Sequence, residues 1–418
     1  MRPLLGGKKV RQKPSHARLL RTIADPPPSR PSKLDAIIVP ASRPASSLSG
    51  LIDLSARLGT LLVVLCSLQT RVDGVAARVA RTPGARALLV EVPRGFEIPD
   101  MPTRTSSAEF TRASGDRVSD LSTKRNLGLL LARLNGWNKI AFLDDDITLR
   151  DPTAYLRVAR QLEHSSIAGM ICREYPDNSV ACHARRLAKL PQDNFVSGSV
   201  LGVRCGDPTL PFFPDIYNED WFFFSRAVAK HDLLSAGVAT QTPYEPFANP
   251  RRAAHEEFGD LLAEGLYALI GAIGDPKLAY HSQLRYARGA FWKDFLEARR
   301  EGLHLTRDHL KRLGAVLHGG GVADHALGSL ETAEHQLDQI TPDLCDAFLD
   351  AWQDDLVDWE TLCLRTGYVG SMREAMGWFD KLPWRIAKFG GAHIDGSDHP
   401  TMVGSSAYPQ AEPQLVPA

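Results

Sequence analysis

Short apolar segments alternate with helical patterns over roughly the first 250 residues of this chain. The apolar runs that predict strands occupy residues 36–40, 61–66, 87–92, 139–143, 166–172 and 195–204, and helical patterns occupy 46–58 and 120–134. This alternation is typical of strand-helix-strand units that share a mostly parallel sheet. We therefore expect an α/β fold with a Rossmann-like sheet that is flanked by helices.

Composition and periodicity divide the chain into four parts. Residues 1–33 are rich in Lys, Arg, Pro and Ser, and they predict a disordered basic tail because they offer too little apolar surface to bury. Strand patterns disappear after about residue 250, and helical stretches dominate residues 251–390. Residues 391–418 lack periodicity and predict a flexible tail. The expected organisation is a catalytic domain at 34–250 followed by a C-terminal helical appendage.

The overall charge and hydropathy exclude some classes of partner. Lys and Arg together number 49, as do Asp and Glu, so we expect no nucleic-acid partner. The longest apolar run, residues 61–68, is shorter than the roughly 20 residues of a membrane-spanning helix. The basic N-terminus also lacks the apolar segment of a secretory signal. We expect no transmembrane segment and a cytoplasmic location.

The segment FLDDDI places three consecutive carboxylates, Asp144, Asp145 and Asp146, directly after an apolar strand. Adjacent like charges raise one another's pKa unless a cation compensates them, and hard oxygen ligands suit Mg²⁺ or Mn²⁺. The carboxyl end of a strand is also where open parallel sheets bind ligands. If the strand continues, Asp144 and Asp146 lie on one side and Asp145 on the other. The alternative is a solvated turn that caps the following element.

Two basic residues stand at the start of a predicted helix in STKRNLG, residues 122–128. The free amides of a helix start, together with the Lys124 and Arg125 side chains, can hold a diphosphate. Positive side chains are otherwise unfavourable at this end of a helix because of its dipole. A solvated turn is the alternative interpretation.

The order of five motifs resembles the glycosyltransferase family 2 group, whose fold is GT-A, and is closest to its galactofuranosyltransferase-like members. These motifs are AIIVPASRP, LLVVLCS, TKRNLGLLLARLNGWNKIAFLDDDI, FVSGSVLGV and NEDWFF, and the resemblance covers roughly residues 34–237. It implies a nucleotide-sugar donor, a carbohydrate or small-molecule acceptor, and a Mn²⁺ or Mg²⁺ cofactor. The resemblance also assigns roles to individual residues, with Asp144 and Asp146 as the metal ligands. The residues expected at the donor are Pro40, Ala41, Arg43, Lys124, Arg125, Asn126, Asp144 and Asp145, and residues 197–199 are expected on the acceptor side.

In the NEDW motif, the resemblance implies that Asp220 is the general base of an inverting transfer, with Glu219 beside it. A carboxylate there can take the proton of the acceptor hydroxyl while a metal ion stabilises the departing nucleoside diphosphate. The alternative is an acidic pair that only complements the dipole of a helix start. Relatives often carry a histidine metal ligand soon after the base, but residues 237–250 contain none. His255 and His281 are the nearest replacements.

The sequence therefore predicts a metal-dependent hexosyltransferase-type enzyme, and two alternatives stay open. DDDIT also matches the start of haloacid dehalogenase-type phosphatases, in which Asp144 would be a nucleophile. Such enzymes open their fold with this strand, whereas three strand-helix units precede Asp144 here. The second alternative is a non-catalytic sugar-nucleotide binder. The C-terminal helices are expected either to cover the acceptor side or to mediate self-association into a homo-oligomer.

Overall fold

The computed structural model describes residues 10–11, 13, 17–21, 32–148, 153–172, 179–192, 195–207, 209–314, 321–379, 382–391 and 394–395. Ten strands lie within these ranges. They are β1 (Ala36–Ala41), β2 (Leu61–Cys66), β3 (Arg86–Glu91), β4 (Lys139–Leu143), β5 (Ile147–Thr148), β6 (Ile167–Cys172), β7 (Val196–Arg204), β8 (Leu234–Gln241), β9 (Trp384–Lys388) and β10 (Ile394–Asp395).

Thirteen α-helices lie within the same described ranges. They are α1 (Ser49–Leu58), α2 (Val72–Arg81), α3 (Ala108–Ala113), α4 (Leu121–Leu134), α5 (Thr153–Gln161), α6 (Val180–Leu187), α7 (Glu219–Ala229), α8 (Arg251–Ile273), α9 (Tyr280–Leu284), α10 (Ala290–Gly314), α11 (Val322–Leu337), α12 (Pro342–Arg365) and α13 (Met372–Gly377). Among the described residues, no helix combines the length and the apolar character needed to cross a membrane.

The strands form one mixed sheet in the order β10-β9-β3-β2-β1-β4-β7-β6-β8-β5. Strands β3, β2, β1 and β4 are parallel, with Ala36 aligned to Leu61 on one side and to Ile140 on the other. Strand β7 runs antiparallel to both β4 and β6, and β8 is parallel to β6. The predicted α/β class is confirmed, and the topology is consistent with the GT-A-like fold that the resemblance implies.

Helices cover both faces of the sheet because its central strands are apolar on both sides. Along β1, Ile38 belongs to the core beneath α4, α7 and α8, whereas Ile37 and Val39 belong to the core beneath α1, α2 and α5. Successive side chains of a strand point to opposite faces, so a run without polar residues has to be covered twice. Because β1, β2, β3 and β4 are parallel, their carboxyl ends lie together at one edge of the sheet.

The prediction that no strand follows residue 250 is wrong. Strand β9 pairs antiparallel with β3, with Ile386 opposite Leu88, and it extends the sheet at that edge. Only Trp384 and Ala387 of this segment are buried, whereas Arg385 and Lys388 are not. Such a short strand with two basic residues gives no clear apolar pattern. In the predicted tail 391–418, Ile394 pairs with Ile386, and residues 396–418 lie outside the described part.

Part of the predicted N-terminal tail, residues 17–21, is bound to the domain. The backbone N–H of Arg21 donates to the Leu233 carbonyl at 2.9 Å, and Ser235 donates back to the Arg21 carbonyl at 3.2 Å. The Arg21 side chain forms an ion pair with Asp232 at 3.1 Å. Leu19 is buried in the core. The expectation of disorder is therefore wrong for these five residues, because a backbone pair beside β8 holds them.

Helix α8 packs against the NEDW segment, and a role of the C-terminal helices in covering the acceptor side stays a prediction. The Asn218 amide donates to Asp260 at 2.9 Å, and the Tyr267 hydroxyl donates to the Trp221 carbonyl at 2.9 Å. A Cβ atom at Gly259 would lie 2.1 Å from the Tyr217 carbonyl oxygen, so this close approach requires glycine. Self-association through the helices stays a prediction.

Candidate active site

The three acidic residues lie in a turn between β4 and β5, because β4 ends at Leu143. Asp145 and Asp146 both form ion pairs with Arg43, whereas Asp144 pairs with Arg125. The expected alternation, with Asp144 and Asp146 on one side and Asp145 opposed, is therefore wrong. A turn does not preserve the two-residue period of a strand.

Arg43 ties the end of β1 to the acidic turn. The backbone N–H groups of Ser42 and Arg43 donate to one oxygen of Asp145 at 2.7 and 2.8 Å, and the guanidinium binds the other oxygen. The guanidinium also lies 2.9 Å from Asp146. Burial lowers the pKa of Arg43, but the Asp146 and Asp145 carboxylates outweigh this effect, and the pKa is raised. Asp145 is thus a structural link as well as a member of the acidic group.

Arg125 joins the acidic turn to the start of α7. Its Nη2 atom donates to both oxygens of Asp144, at 3.0 and 3.2 Å, and its Nη1 atom donates to Glu219. Burial alone would lower the pKa of Arg125, but Asp144 and Glu219 raise it well above its ordinary value. Burial raises the pKa of the Glu219 carboxyl, although Arg125 and Arg117 oppose that shift. One buried guanidinium therefore brings two of the predicted site segments together.

Asp220 lies in the first turn of α7 and is attached to β7. Its two carboxylate oxygens accept hydrogen bonds from the backbone N–H groups of Gly198 and Trp221. The next residue of β7, Ser199, accepts a backbone hydrogen bond from Asp144 at 3.0 Å. Asn218 precedes the helix in the left-handed conformation, with φ of 62°, which turns the chain into α7. The predicted base and the acidic turn therefore share one anchor in β7.

Glycine at position 198 makes room for the Arg125 guanidinium. A Cβ atom there would lie 2.5 Å from Nη1 and 2.8 Å from Cζ of Arg125, distances that real Cβ contacts do not show. The guanidinium cannot move away freely because it is buried and paired with Asp144 and Glu219. Gly198 therefore sets the position of Arg125 against the sheet.

The substitution Gly198→Ala is expected to lower the free energy of unfolding by about 1–3 kcal/mol, because it forces a buried, paired side chain out of place. Urea denaturation followed by tryptophan fluorescence measures the change. The control is Gly50→Ala, since a Cβ atom at this helical position meets nothing within 4 Å. That variant should be neutral or slightly more stable. Equal stability of the two variants would contradict this account of Gly198.

A cleft of about 1230 Å³ opens at the carboxyl ends of β1, β2 and β3 and beside the start of α4. Its lining includes Pro40, Lys124 and Asn126 of the predicted donor residues, but not Ala41, Arg43, Arg125, Asp144 or Asp145. Ser42 also lines it, and the Ser42 N–H donates to Asp145 at 2.7 Å, so the cleft adjoins the acidic turn.

Two aromatic residues in the lining of the cleft come from the C-terminal region and were not predicted there. Trp378 and Phe379 lie just after α13 and reach the cleft from the C-terminal region. They are more than 230 residues away from the end of β4, and no local pattern in the sequence points to such a contact. Aromatic side chains of this kind are more often core residues.

Lys124 and Asn126 serve as buried cross-links within the domain. The Lys124 ammonium donates to the Ala41 carbonyl and to the Ser67 hydroxyl, and it pairs with Asp120 at 2.9 Å. The Asn126 amide donates to the Phe213 carbonyl and accepts from the Phe213 N–H, each at 2.8 Å. These bonds occupy the groups that were expected to meet the donor, and their role in donor binding stays a prediction.

The structure does not bring His255 or His281 into a ligand group with Asp144 and Asp146. Among the described residues, the one group of three side chains with ligand atoms within 4.8 Å of one another is Cys182, Asp260 and Glu264. Burial lowers the pKa of His255, and Arg117 and Arg251 lower it further, so its surroundings are cationic. His281 lies in α9 and is exposed. Neither histidine has a contact that supports the predicted ligand role.

A cationic side chain, that of Arg299, already lies within the group of Cys182, Asp260 and Glu264. Arg299 of α10 donates to Asp260 and to Glu264 at 2.7 Å each, and it also binds Glu257. Burial raises the pKa of the Cys182 thiol well above its ordinary value, which opposes formation of a thiolate. A buried ion-pair network therefore accounts for this group.

Gln241, at the end of β8, lies beside the acidic turn, and the sequence analysis passed over it. Its side-chain nitrogen donates to Asp146 at 3.1 Å. Gln241 falls within residues 237–250, the stretch that contains no histidine. Because a glutamine is an unremarkable residue at the end of a strand, its type alone gave no signal.

Comparisons with known proteins give no family assignment. No family model and no curated protein matches this chain. Among solved structures, the mannosyltransferase PcManGT from Pyrobaculum calidifontis, in complex with GDP-Man and Mn²⁺, aligns with a TM-score of 0.39. The two chains are 16% identical, and the alignment covers 82% of this chain and 93% of that chain. At this distance the likeness carries no functional argument, and galactofuranosyltransferase-like specificity finds no support in it.

Proposed function

We propose that this protein is a metal-dependent glycosyltransferase that moves a sugar from a nucleoside-diphosphate sugar to an acceptor hydroxyl. The observation that carries the proposal is the convergence of separate acidic segments at the edge of a cleft. Arg125 forms ion pairs with both the acidic turn and the start of α7. Arg43, which follows β1, forms an ion pair with the acidic turn. Parallel sheets bind ligands at this edge.

The charges of this group fit a divalent cation. The three aspartates of the turn and Glu219 form direct ion pairs with two guanidiniums, those of Arg43 and Arg125, and Asp220 adds a further carboxylate next to Glu219. Carboxylate oxygens are the ligands that Mg²⁺ and Mn²⁺ prefer. The Asp144 side chain retains 17% of its exposure, whereas the other members are more deeply buried. In this proposal Asp144 and Asp146 would hold the ion, which when bound would supply positive charge against the negative charge of the departing diphosphate.

The residues of the chain carry the rest of the reaction. Asp220 takes the proton of the acceptor hydroxyl, and the N–H groups of Gly198 and Trp221 hold its carboxylate in a fixed orientation. The cleft beside Ser42 and Ser67, with a volume of about 1230 Å³, is large enough for a nucleoside. Attack from the Asp220 side inverts the configuration of the transferred sugar.

The test of the function is incubation with a panel of nucleotide sugars, Mn²⁺ and simple sugar acceptors. Release of nucleoside diphosphate together with a new glycoside supports the proposal. Release of inorganic phosphate from phosphoesters, with no use of nucleotide sugars, would instead support the phosphatase in which Asp144 is a nucleophile. Donor binding without any turnover would indicate a sugar-nucleotide-binding protein.

Asp146→Asn is expected to abolish the metal-dependent part of donor binding, because it removes one of the two carboxylates that neutralise the ion. Isothermal titration with Mn²⁺ plus GDP or UDP measures the loss. The matched control is Asp53→Asn, since Asp53 is an exposed acidic residue of α1. Unchanged binding by the Asp146 variant would remove this residue from the metal site.

A further inference from the structure

Strand β8 fixes Gln241 beside the acidic turn. In the antiparallel pairing of β5 with β8, Ile147 stands opposite Gln241 and Thr148 opposite Thr240. The next residue, Thr242, donates to the Asp146 carbonyl from its backbone N–H at 2.9 Å and from its hydroxyl at 3.0 Å. The backbone on either side of the Gln241 side chain is therefore tied to the acidic turn.

The side-chain amide of Gln241 is buried, and among the described residues its nitrogen has a hydrogen-bond partner but its oxygen has none. The residue is 2% exposed, and its Nε2 atom donates to Asp146 at 3.1 Å. Its Oε1 atom is buried and accepts no hydrogen bond within the part of the chain that the structure describes. An unsatisfied buried acceptor costs about 1–3 kcal/mol, and in native proteins it calls for an explanation such as a bound ion.

We infer that Gln241 is a neutral oxygen ligand of the divalent cation that Asp144 and Asp146 hold. This inference rests on the proposed function. An amide oxygen is a hard ligand of the same kind as a carboxylate oxygen. Half a turn about the last side-chain bond exchanges the oxygen and the nitrogen of the amide, and this torsion has a broad, two-fold preference. The same side chain can thus donate to Asp146 without the ion and turn its oxygen to the ion when it binds.

The charge of the site favours a neutral third ligand. Two carboxylates balance one divalent cation, and a third would add negative charge where a diphosphate has to bind. The Gln241 side chain would supply such a ligand through its amide oxygen, without adding charge. Oxygen ligands favour Mg²⁺ and Mn²⁺, whereas imidazole favours Zn²⁺, Co²⁺ and Ni²⁺.

Gln161 provides a matched control within the same chain. It is also buried, at 5% exposure, and its Oε1 atom likewise accepts no hydrogen bond from the described residues. Its Nε2 atom donates to the Ser235 carbonyl at 3.2 Å rather than to a carboxylate. Substitutions at Gln161 therefore reproduce the loss of a buried amide without touching the acidic turn.

The first experiment measures binding of Mn²⁺ by the loss of its free-ion paramagnetic resonance signal, alone and with GDP or UDP. Gln241→Leu is expected to weaken Mn²⁺ binding by roughly tenfold or more. Gln161→Leu should bind Mn²⁺ as the unmodified protein does. Thermal unfolding without metal checks that both variants are folded.

The second experiment uses Gln241→His and has a readout that a structural role would not change. Pulsed paramagnetic resonance of the bound Mn²⁺ should show a directly coordinated nitrogen in this variant and none in Gln161→His. Affinity for Co²⁺ relative to Mg²⁺ should also rise. These results would assign Gln241 to the inner coordination sphere of the metal.

Different results would contradict the ligand role of Gln241 and the metal-dependent function. If Gln241→Leu binds Mn²⁺ as tightly as the unmodified protein and Gln241→His shows no nitrogen coupling, Gln241 is not a ligand, and the proposed function stands. If the unmodified protein binds no Mn²⁺, either alone or with GDP or UDP, the metal-dependent function itself is wrong.

Discussion

Asp220→Asn is expected to lower the rate of sugar transfer by about 10²–10⁴-fold, the usual effect of removing a general base. Donor binding should stay close to normal, because the carboxylate of Asp220 is bonded to Gly198 and Trp221, whereas the proposed metal ligands are Asp144 and Asp146. The measurement is steady-state transfer to an acceptor, combined with titration of Mn²⁺ and nucleoside diphosphate.

The control for this prediction is Asp232→Asn. Asp232 is also acidic and lies three residues after α7, but its side chain is 38% exposed and pairs with Arg21 on the surface. Its replacement should change the transfer rate by less than about twofold, because exposed ion pairs contribute little. Full activity of Asp220→Asn would show that another group takes the proton.

Arg299→Met is expected to lower the free energy of unfolding by about 3–5 kcal/mol, the range for a buried ion network that loses one charged partner. Arg299 is 1% exposed and binds Glu257, Asp260 and Glu264 of α8. Without the guanidinium, three buried carboxylates would face one another. Urea denaturation at constant pH measures the loss.

The loss should also depend on pH. Burial raises the pKa of Glu257 even with Arg299 present. Removal of the guanidinium raises the pKa of Glu257 in the folded state further. Over the pH range between the unfolded and the folded pKa, the folded variant therefore binds a proton that the unfolded chain does not. A group with a raised folded-state pKa stabilises the fold at low pH and loses this effect as pH rises. The difference between Arg299→Met and the unmodified protein should therefore be smaller at pH 5 than at pH 8.

Arg300→Met is the matched control for Arg299→Met. The neighbouring side chain is 42% exposed and pairs with Asp338, which is 59% exposed. Such surface pairs contribute about 0–1 kcal/mol, and the variant should unfold nearly as the unmodified protein does at both pH values. A similar loss in both variants would mean that the Arg299 network is not a principal support of α8.

The network matters for the active site because α8 supports the segment that carries the proposed base. Asp260 accepts hydrogen bonds from Arg299 and also from Asn218, two residues before Asp220. The C-terminal helices are thus connected to the catalytic domain through one buried carboxylate. Arg299→Met is therefore expected to reduce activity as well as stability.

The central strands and the acidic turn were predictable from sequence because their signals are local. Strands β2 and β4 have the bounds that their apolar runs predict, and helix α4 begins within one residue of its predicted start. An apolar run is buried wherever it lies, and three adjacent carboxylates at its end are visible without any partner. Strand β9 was not predicted because its two basic residues interrupt the apolar pattern around its two buried positions.

The sequence by itself determined the α/β class and the positions of the central strands and of the acidic turn along the chain, since each follows from neighbouring residues. Only the tertiary structure decided the partners of that turn, which come from distant segments. Arg43 is 102 residues from Asp145, Arg125 is 94 from Glu219, and Gln241 is 95 from Asp146. The pairing of such groups depends on how the strands assemble at one edge of the sheet. Periodicity along the chain does not predict this pairing.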